Sequence, residues 1–254
     1  MINHKINILG IYYSKIKSNE LMERLENENN KTISFAPVDS VILSRKNSYL
    51  KEVYNSFDYV LADGMPIIFA SKLLGNPLPE RISGPDFFKK FIDVCSKKNY
   101  SIFFLGSDEK TIKIVKKKVT KKNTIQGYFC PPIKENFNLQ DNKIMINKIN
   151  KAKPDFLFIV LGAPKQDIWI QQNKNKINVK AIISIGAAFD FYAEKIKRPP
   201  EWMQKIGLEW LFRLMQEPRR LYKRYLRDFL FPFLIIKSIL IKKIYKRAIF
   251  VLIQ

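Results

Sequence analysis

One carboxylate of this chain stands where a parallel β-sheet would present a catalytic base. Asp63 lies in residues 61–66, Leu-Ala-Asp-Gly-Met-Pro, directly after a β-rich run and before a helical pattern. Gly64 leaves the approach to it open, and the N-terminal end of the following helix favours the ionised carboxylate that a general base requires. The same position also suits a residue that only caps that helix. Asp63 is therefore a candidate base, with helix capping as the alternative.

A second candidate is an arginine held among turn residues. Arg81 lies in residues 78–86, Leu-Pro-Glu-Arg-Ile-Ser-Gly-Pro-Asp. A guanidinium fixed by turns suits a diphosphate, to which it can donate two parallel hydrogen bonds. The alternative is a surface ion pair with Glu80 or Asp86. The sequence contains no Asp-x-Asp, the metal-binding pattern of many nucleotide-sugar enzymes, so Arg and Lys would have to stabilise a leaving diphosphate.

Three short turns follow predicted strands and carry a glycine each. They contain Gly106, Gly162 and Gly186. Ligands of open parallel sheets bind beyond the carboxyl ends of the strands, and glycine lets a phosphate approach the backbone there. An ordinary turn explains any one of them, whereas three together favour a nucleotide-like ligand. The sequence has neither G-x-G-x-x-G nor G-x-x-x-x-G-K-[ST], which argues against dehydrogenases and P-loop NTPases.

Histidine and cysteine chemistry has little to build on. His4 is the one histidine, and Cys95 and Cys130 are the two cysteines, so we expect no Ser-His-Asp mechanism, no zinc site and no disulfide framework. The first ten residues break their apolar run too early for a secretory signal. We therefore expect a protein of the reducing cytosol.

The elements that must position these residues alternate along residues 1–194. Short β-rich runs at 33–36, 59–62, 101–106, 155–162 and 180–186 are separated by helical patterns. The helical patterns cover residues 41–54, 67–74, 85–97, 109–121, 143–151 and 166–175. Parallel strands joined by crossover helices give this alternation. We therefore predict an α/β fold, with a Rossmann-like parallel-sheet core in residues 1–194.

The last 60 residues have a different character. Residues 195–254 hold 15 of the 45 Lys and Arg but 4 of the 23 Asp and Glu, in a chain of net charge +22. They are also rich in aromatic and aliphatic residues, although Lys237, Lys242 and Lys243 interrupt every run long enough to span a bilayer. Basic and apolar residues together are typical of a helix on an anionic membrane surface. The alternative is a helix packed on the core or on another subunit.

Taken in order, these segments resemble the WecG/TagA/CpsF family of glycosyltransferases from about residue 6 to residue 228. The resemblance rests on six blocks: 62–66, 74–86, 104–106, 161–167 (Leu-Gly-Ala-Pro-Lys-Gln-Asp), 186–191 (Gly-Ala-Ala-Phe-Asp-Phe) and 207–220 (Gly-Leu-Glu-Trp-Leu-Phe-Arg-Leu-Met-Gln-Glu-Pro-Arg-Arg). It implies an inverting transfer, without metal or other cofactor, from a UDP-sugar to a polyprenyl-diphosphate-linked saccharide at the cytoplasmic face of the membrane. It also implies that residues 195–254 form a basic, amphipathic helical appendage that docks on the anionic bilayer and helps to close the site.

The resemblance also assigns roles to residues. It makes Asp63 the base that deprotonates the acceptor hydroxyl, and it places Arg81 and Gln166 in the donor and acceptor pocket. It implies that arginines of the appendage, among them Arg213, Arg220 and Arg224, reach the UDP diphosphate. We add Gly64, Gly106 and Gly162 as substrate contacts at the strand ends.

The sequence departs from the family pattern at one place that bears on the sugar. Many members carry a polar Thr/Asn pair after the second strand, where this chain has Pro37 and no side-chain donor. Either Asp39 or Ser40 replaces that contact, or the sugar contacted there differs. The candidate donors are therefore N-acetylmannosamine, its uronic acid, glucose and other hexoses. Two other classes remain as alternatives: a basic module that binds membrane or nucleic acid without catalysis, and a Rossmann-like methyltransferase. We expect no nucleic-acid partner, because the aromatic residues fall in predicted core positions.

Overall fold

A parallel sheet forms the centre of the molecule. The computed structural model describes residues 5–119 and 125–253 and, in the last helix, side chains as far as residue 244. Within these residues a short antiparallel hairpin of β1 (Lys5–Ile8) and β2 (Ile11–Ser14) precedes a six-stranded sheet. The sheet strands are β3 (Lys31–Ala36), β4 (Tyr59–Ala62), β5 (Ile102–Gly106), β6 (Ile125–Phe129), β7 (Phe156–Val160) and β8 (Ala181–Ser184). Every paired neighbour in the sheet is parallel, in the order β4-β3-β8-β7-β5-β6.

Helices cover both faces of this sheet and continue beyond it. Those of the core are α1 (Ser18–Asn27), α2 (Val38–Lys46), α3 (Ser48–Asn55), α4 (Met65–Leu73), α5 (Gly84–Lys97), α6 (Glu109–Lys118), α7 (Leu139–Ala152), α8 (Lys165–Asn173) and α9 (Ala188–Tyr192), with a 3₁₀ turn at Lys174–Lys176. Those of the appendage are α10 (Glu201–Lys205), α11 (Glu209–Gln216), α12 (Pro218–Asp228) and α13 (Leu230–Ile253). The predicted α/β fold with a helical C-terminal appendage is therefore confirmed.

The central strand β7 shows why the sheet is buried on both faces. Phe156 and Phe158 point into one apolar cluster, and Leu157 and Ile159 point into the other. On the first side the rings of Phe88 and Phe91 lie edge-on to these phenylalanines, with centroids 5.2 Å and 4.8 Å apart. A strand that buries both faces reads as a continuous apolar run, which is the pattern of parallel sheets. Most of the aromatic side chains are accordingly core residues.

Several elements differ from the sequence prediction. The helix predicted at 41–54 is two helices, because the extended backbone of Asn47 ends α2 and its side-chain oxygen accepts a hydrogen bond from Leu50 N at 3.1 Å to begin α3. The hairpin β1–β2, helix α1 and strand β6 had no predicted counterpart; β6 is a half-exposed edge strand of mixed polarity. His4 and the end of the helix predicted at 109–121 lie outside the described residues.

The appendage packs on the core through one face. Leu221 and Tyr225 of α12 and Phe231 and Ile235 of α13 are buried, and these helices contact α2 and α4. Among the described residues, no helix is long and apolar enough to cross a membrane. The appendage thus closes over the end of the sheet at which β3 and β4 terminate.

Candidate active site

The carboxyl ends of three strands meet in one wall. Gly106 ends β5 with φ +109°, and a Cβ added there would lie 2.2 Å from the carbonyl oxygen of Val160 at the end of β7. Only glycine permits that approach, so the turn after β5 lies directly against the turn after β7. Gly162 and Gly186 follow β7 and β8 with positive φ as well. The three turns predicted from the sequence are therefore brought together.

These turns line a cavity of about 560 Å³, which we call the polar cavity. Its volume lies within the range of roughly 300–1,000 Å³ typical of small-molecule sites. Of the residues predicted from the sequence to bind substrate, it is lined by Asp39, Gly106, Gly162, Gln166, Arg213, Arg220 and Arg224, together with Asp63. Core and appendage thus both contribute to its wall.

A second cavity of about 260 Å³ adjoins the first, and we call it the apolar cavity. Its apolar wall comes from the starts of α2 and α4 and from the appendage, including Val38, Met65, Trp210, Phe229 and Phe231. The predicted residues Gly64 and Arg81 line this cavity and not the polar one. The residues that line both cavities are Pro37, Asp63, Glu209, Arg213 and Arg224. The two cavities therefore join beside Asp63.

Asp63 is held by the backbone rather than by hydrogen bonds of its side chain. It follows β4, and Gly64 next to it adopts φ +123° and is itself the N-cap of α4. The alternative that Asp63 caps this helix is therefore wrong. In the part of the chain that the structure describes, no hydrogen bond or ion pair engages its carboxylate. The group is free to accept a proton from a ligand.

The surroundings of Asp63 raise its affinity for a proton. Burial, with a further contribution from the charge of Glu209, raises the pKa of Asp63 to about 6, although the charges of Arg81, Arg213 and Arg224 oppose the rise. A general base works best when its pKa lies near the working pH. A carboxylate with this pKa is mostly ionised at pH 7 and still a stronger base than an ordinary aspartate.

Arg81 joins the core to the appendage. Its guanidinium donates to Glu209 Oε2 at 2.8 Å, to Asp86 Oδ2 at 3.0 Å and to Gln204 Oε1 at 3.2 Å. The pair with Asp86 was the alternative considered from the sequence, and it exists, but the Arg81 side chain is only 15% exposed and so is no ordinary surface cation. Asp86 is also bound by Arg198. The arginine beside Asp63 therefore belongs to a network that crosses from α5 to α10 and α11.

Three appendage arginines line the polar cavity, and that they reach a UDP diphosphate stays a prediction. The guanidinium carbon of Arg213 lies 5.2 Å from the centre of the Phe191 ring. The buried Nε of Arg213 has no hydrogen-bond partner among the described residues. Arg220 donates to Glu217 through Nε at 2.8 Å. Arg224 Nε lies 3.5 Å from Asp39 and 3.9 Å from Asp228. Each guanidinium group could donate hydrogen bonds to a diphosphate. The same cavity is also lined by carboxylates, among them Asp39 and Glu217, which pair with Arg224 and Arg220.

Asp39 has a different environment from the one expected of a sugar contact. Arg227 donates to its carboxylate from Nε at 3.1 Å, and Arg224 lies against its other oxygen. Beside it, burial and the charge of Asp39 raise the pKa of Asp228 to about 7, while Arg224 and Arg227 lower it. In this arrangement Asp39 ties α2 to α12. That it binds the sugar stays a prediction.

Gln166 lines the polar cavity, and its neighbour Asp167 is buried without lining it. Gln166 is buried, and its side-chain oxygen has no partner in the described part of the chain. Asp167 is 1% exposed and accepts hydrogen bonds from the hydroxyls of Ser34 and Ser184, each at 2.8 Å. Burial raises the pKa of Asp167 to about 6, although these hydrogen bonds lower it. Asp167 therefore fastens the start of α8 to β3 and β8.

Sequence reasoning missed the two glutamates of this site. Glu209 and Glu217 line the polar cavity and pair with Arg81 and Arg220. The signal was present, because Glu209, Arg213 and Glu217 are spaced four residues apart, as side chains on one helical face are. Among the described residues no group of three or more His, Cys, Asp or Glu could hold a metal ion.

Comparison with known proteins agrees with these features. Residues 6–245 match the model of the glycosyl transferase WecG/TagA/CpsF family. Over 178 residues the chain is 33% identical to the N-acetylglucosaminyldiphosphoundecaprenol N-acetyl-beta-D-mannosaminyltransferase of Bacillus subtilis, covering 69% of this chain and 67% of that protein. It is 29% identical to the protein of the same description from Bacillus spizizenii over 175 residues, 69% of this chain and 67% of the other. The similar protein of Staphylococcus aureus strain MW2 is 23% identical over 229 residues, 85% of this chain and 87% of its own.

Proposed function

The chain belongs to the WecG/TagA/CpsF family of glycosyltransferases, and from this premise we propose that it transfers an N-acetylmannosamine-type sugar from UDP to a polyprenyl-diphosphate-linked N-acetylglucosamine. The relatives named above carry out transfer to such a lipid-linked acceptor, as their descriptions state. The observation that carries the proposal for this chain is the junction of the two cavities at Asp63, with arginines on either side. The transfer belongs to the synthesis of a cell-envelope polymer.

The reaction is a single displacement with inversion. Asp63 takes the proton of the acceptor hydroxyl as that oxygen forms a bond to the anomeric carbon of the donor sugar. The bond from that carbon to the UDP oxygen breaks on the opposite face, and its electron pair leaves with UDP. Because no side chain forms a covalent intermediate, one displacement inverts the anomeric centre.

Cationic side chains take up the charge of the departing diphosphate. Arg213, Arg220 and Arg224 line the polar cavity, and a guanidinium can donate two hydrogen bonds to a phosphate. This supports a transfer that needs no metal ion. The glycine turns at Gly106 and Gly162 leave the backbone open to the nucleotide, and the unpaired side-chain oxygen of Gln166 can accept a hydrogen bond from a substrate hydroxyl or amide.

The identity of the donor sugar depends on the region around Pro37. Pro37 lines both cavities and cannot donate a hydrogen bond, whereas Asp39 nearby is bound to appendage arginines. We propose that this chain accepts an N-acetylhexosamine of the manno series and that other hexoses are transferred more slowly.

The appendage is proposed to rest on an anionic membrane at the cytoplasmic face, with the division from the catalytic core at residue 195. Its outer face exposes apolar side chains that the core does not cover: Leu226, Phe229, Leu230, Phe233, Ile236 and Leu240. Lys223, Lys237, Lys242 and Lys243 flank them on α12 and α13. Apolar insertion and attraction to anionic headgroups act together on such a surface.

A donor screen tests the proposal. Purified full-length protein is given a lipid-diphosphate-N-acetylglucosamine and a panel of UDP-sugars, and free UDP is measured. We expect release that depends on the acceptor and is fastest with UDP-N-acetylmannosamine. Release that is equal with and without acceptor, or fastest with a hexose lacking the acetamido group, would contradict the proposed substrates.

A further inference from the structure

A second binding site follows from the way the two cavities join. We propose that the apolar cavity holds the lipid-proximal end of the acceptor, with the first isoprene units of a polyprenyl diphosphate packed against Trp210, Phe229 and Phe231. The inference rests on the proposed function, in which the acceptor is lipid-linked. It assigns one cavity to each substrate, and Asp63 lies where they meet.

The chemistry of the two walls separates the substrates. The polar cavity is built from glycine turns, the amide of Gln166 and the appendage arginine Arg220, which suit a nucleoside diphosphate. The wall of the apolar cavity is mostly carbon surface, which comes from side chains such as Val38, Met65, Trp210, Phe229 and Phe231. A nucleotide would leave most of that carbon surface without a partner, whereas an isoprenoid would bury it.

The polar part of the apolar cavity suits the headgroup of the same ligand. Arg81 lines the apolar cavity and not the polar one, so it is the arginine that would meet the acceptor diphosphate. An acceptor bound with its diphosphate there directs its sugar to Asp63 and its tail toward Trp210. One ligand therefore satisfies the charged and the apolar ends of the cavity together.

The apolar cavity opens toward the exposed apolar face of the appendage. Phe229 and Pro232 line the cavity and are exposed at the surface as well. Their neighbours on α13 are the exposed Leu230 and Phe233, so the opening continues into the apolar face of the appendage. A lipid tail leaving the cavity would remain on apolar surface all the way.

The volume limits how much of the lipid is held. A cavity of about 260 Å³ lies just below the usual range of roughly 300–1,000 Å³ for small-molecule sites. It has room for the start of a polyprenyl chain and not for its whole length. We therefore expect a short isoprenoid to bind as an undecaprenyl chain does.

Calorimetric binding of farnesyl diphosphate and of inorganic diphosphate to the full-length protein tests the site without any transfer step. Because the isoprenoid carbons of farnesyl diphosphate would be buried and inorganic diphosphate has none, we expect farnesyl diphosphate to bind at least tenfold more tightly than diphosphate. Trp210→Ala, which removes one wall, should reduce that advantage to about threefold or less. Val38→Phe adds a larger side chain from α2 that fills the cavity. It should reduce the affinity advantage of farnesyl diphosphate to a similar extent.

Trp202→Ala is the matched control. Trp202 lies on α10 of the same appendage, is 59% exposed and lines neither cavity, so its loss should leave the advantage of farnesyl diphosphate unchanged. Equal affinity of the native protein for the two compounds would overturn the inference. So would a farnesyl advantage that survives both Trp210→Ala and Val38→Phe, or one that Trp202→Ala reduces equally. Because the readout is binding, failure here is separate from failure of sugar transfer in the donor screen.

Discussion

If Asp63 is the catalytic base, the rate of transfer should depend on pH in a specific way. With a pKa of about 6, Asp63 is about nine-tenths ionised at pH 7 and about one-tenth ionised at pH 5. Because only the ionised form accepts the proton, kcat/KM should fall about tenfold for each pH unit below 6. If the base were an aspartate of ordinary pKa, kcat/KM would not change with pH above about pH 4.5.

Two substitutions show whether this acid limb belongs to Asp63. Asp63→Asn removes the base and should lower kcat by about 10²- to 10⁴-fold with UDP binding retained, and the residual rate should lose the limb. Glu209→Gln removes the neighbouring negative charge that raises the pKa of Asp63, so the limb should move to lower pH.

The assay is acceptor-dependent UDP release between pH 4.5 and 8, with UDP binding followed by calorimetry. Asp93→Asn makes the same chemical change at an exposed site on α5 and should leave the profile unchanged. The reasoning would be refuted by a native kcat/KM that does not fall between pH 6 and pH 4.5, by an Asp63→Asn enzyme within about threefold of the native rate, or by a Glu209→Gln limb that stays in place or moves upward.

Three further predictions concern metal, membrane and stability. A chelator should leave the transfer rate unchanged; a loss that Mg²⁺ or Mn²⁺ restores would contradict the metal-free mechanism. Phe233→Glu should weaken flotation with anionic vesicles without lowering Tm, because this side chain is 71% exposed; unchanged flotation would contradict docking through this face. Protonation of buried Asp167 stabilises the folded state below about pH 4, and this contribution is lost as pH rises through about 6. Between pH 4 and pH 7 in urea, the free energy of unfolding of the native protein should therefore fall by about 2 kcal/mol relative to that of Asp167→Asn; an equal difference at both pH values would contradict this origin.

The sequence predicts the strands of this protein better than the contacts that complete its site. Buried parallel strands read as apolar runs ending in glycine turns, so the wall at Gly106 and Gly162 could be anticipated from local pattern alone. The pair Arg81–Glu209 joins residues 128 positions apart, and no periodicity encodes such a contact. Asp39 illustrates the same limit, because its partner Arg227 is 188 positions away.

Errors in secondary structure have local physical causes. The break at Asn47 follows from a side chain that begins a new helix more favourably than it continues the old one. Strand β6 escaped prediction because an edge strand with one half-exposed face lacks the continuous apolar run of β7. Neither error displaces a residue of the candidate site.

The order of strands in the sheet has a consequence for how the chain is made. The two central strands, β7 and β8, come last in the sequence, and β8 ends at residue 184 of 254. During synthesis one edge of β3 and one edge of β5 therefore stay unpaired until β7 and β8 have been made. In the finished sheet β7 pairs with β5, and β8 pairs with β3. Pairing across such a sequence separation is slow, and open strand edges invite association with other chains. A nascent chain stopped between β6 and β7 would have two unconnected halves of a sheet and would be a natural client for chaperones.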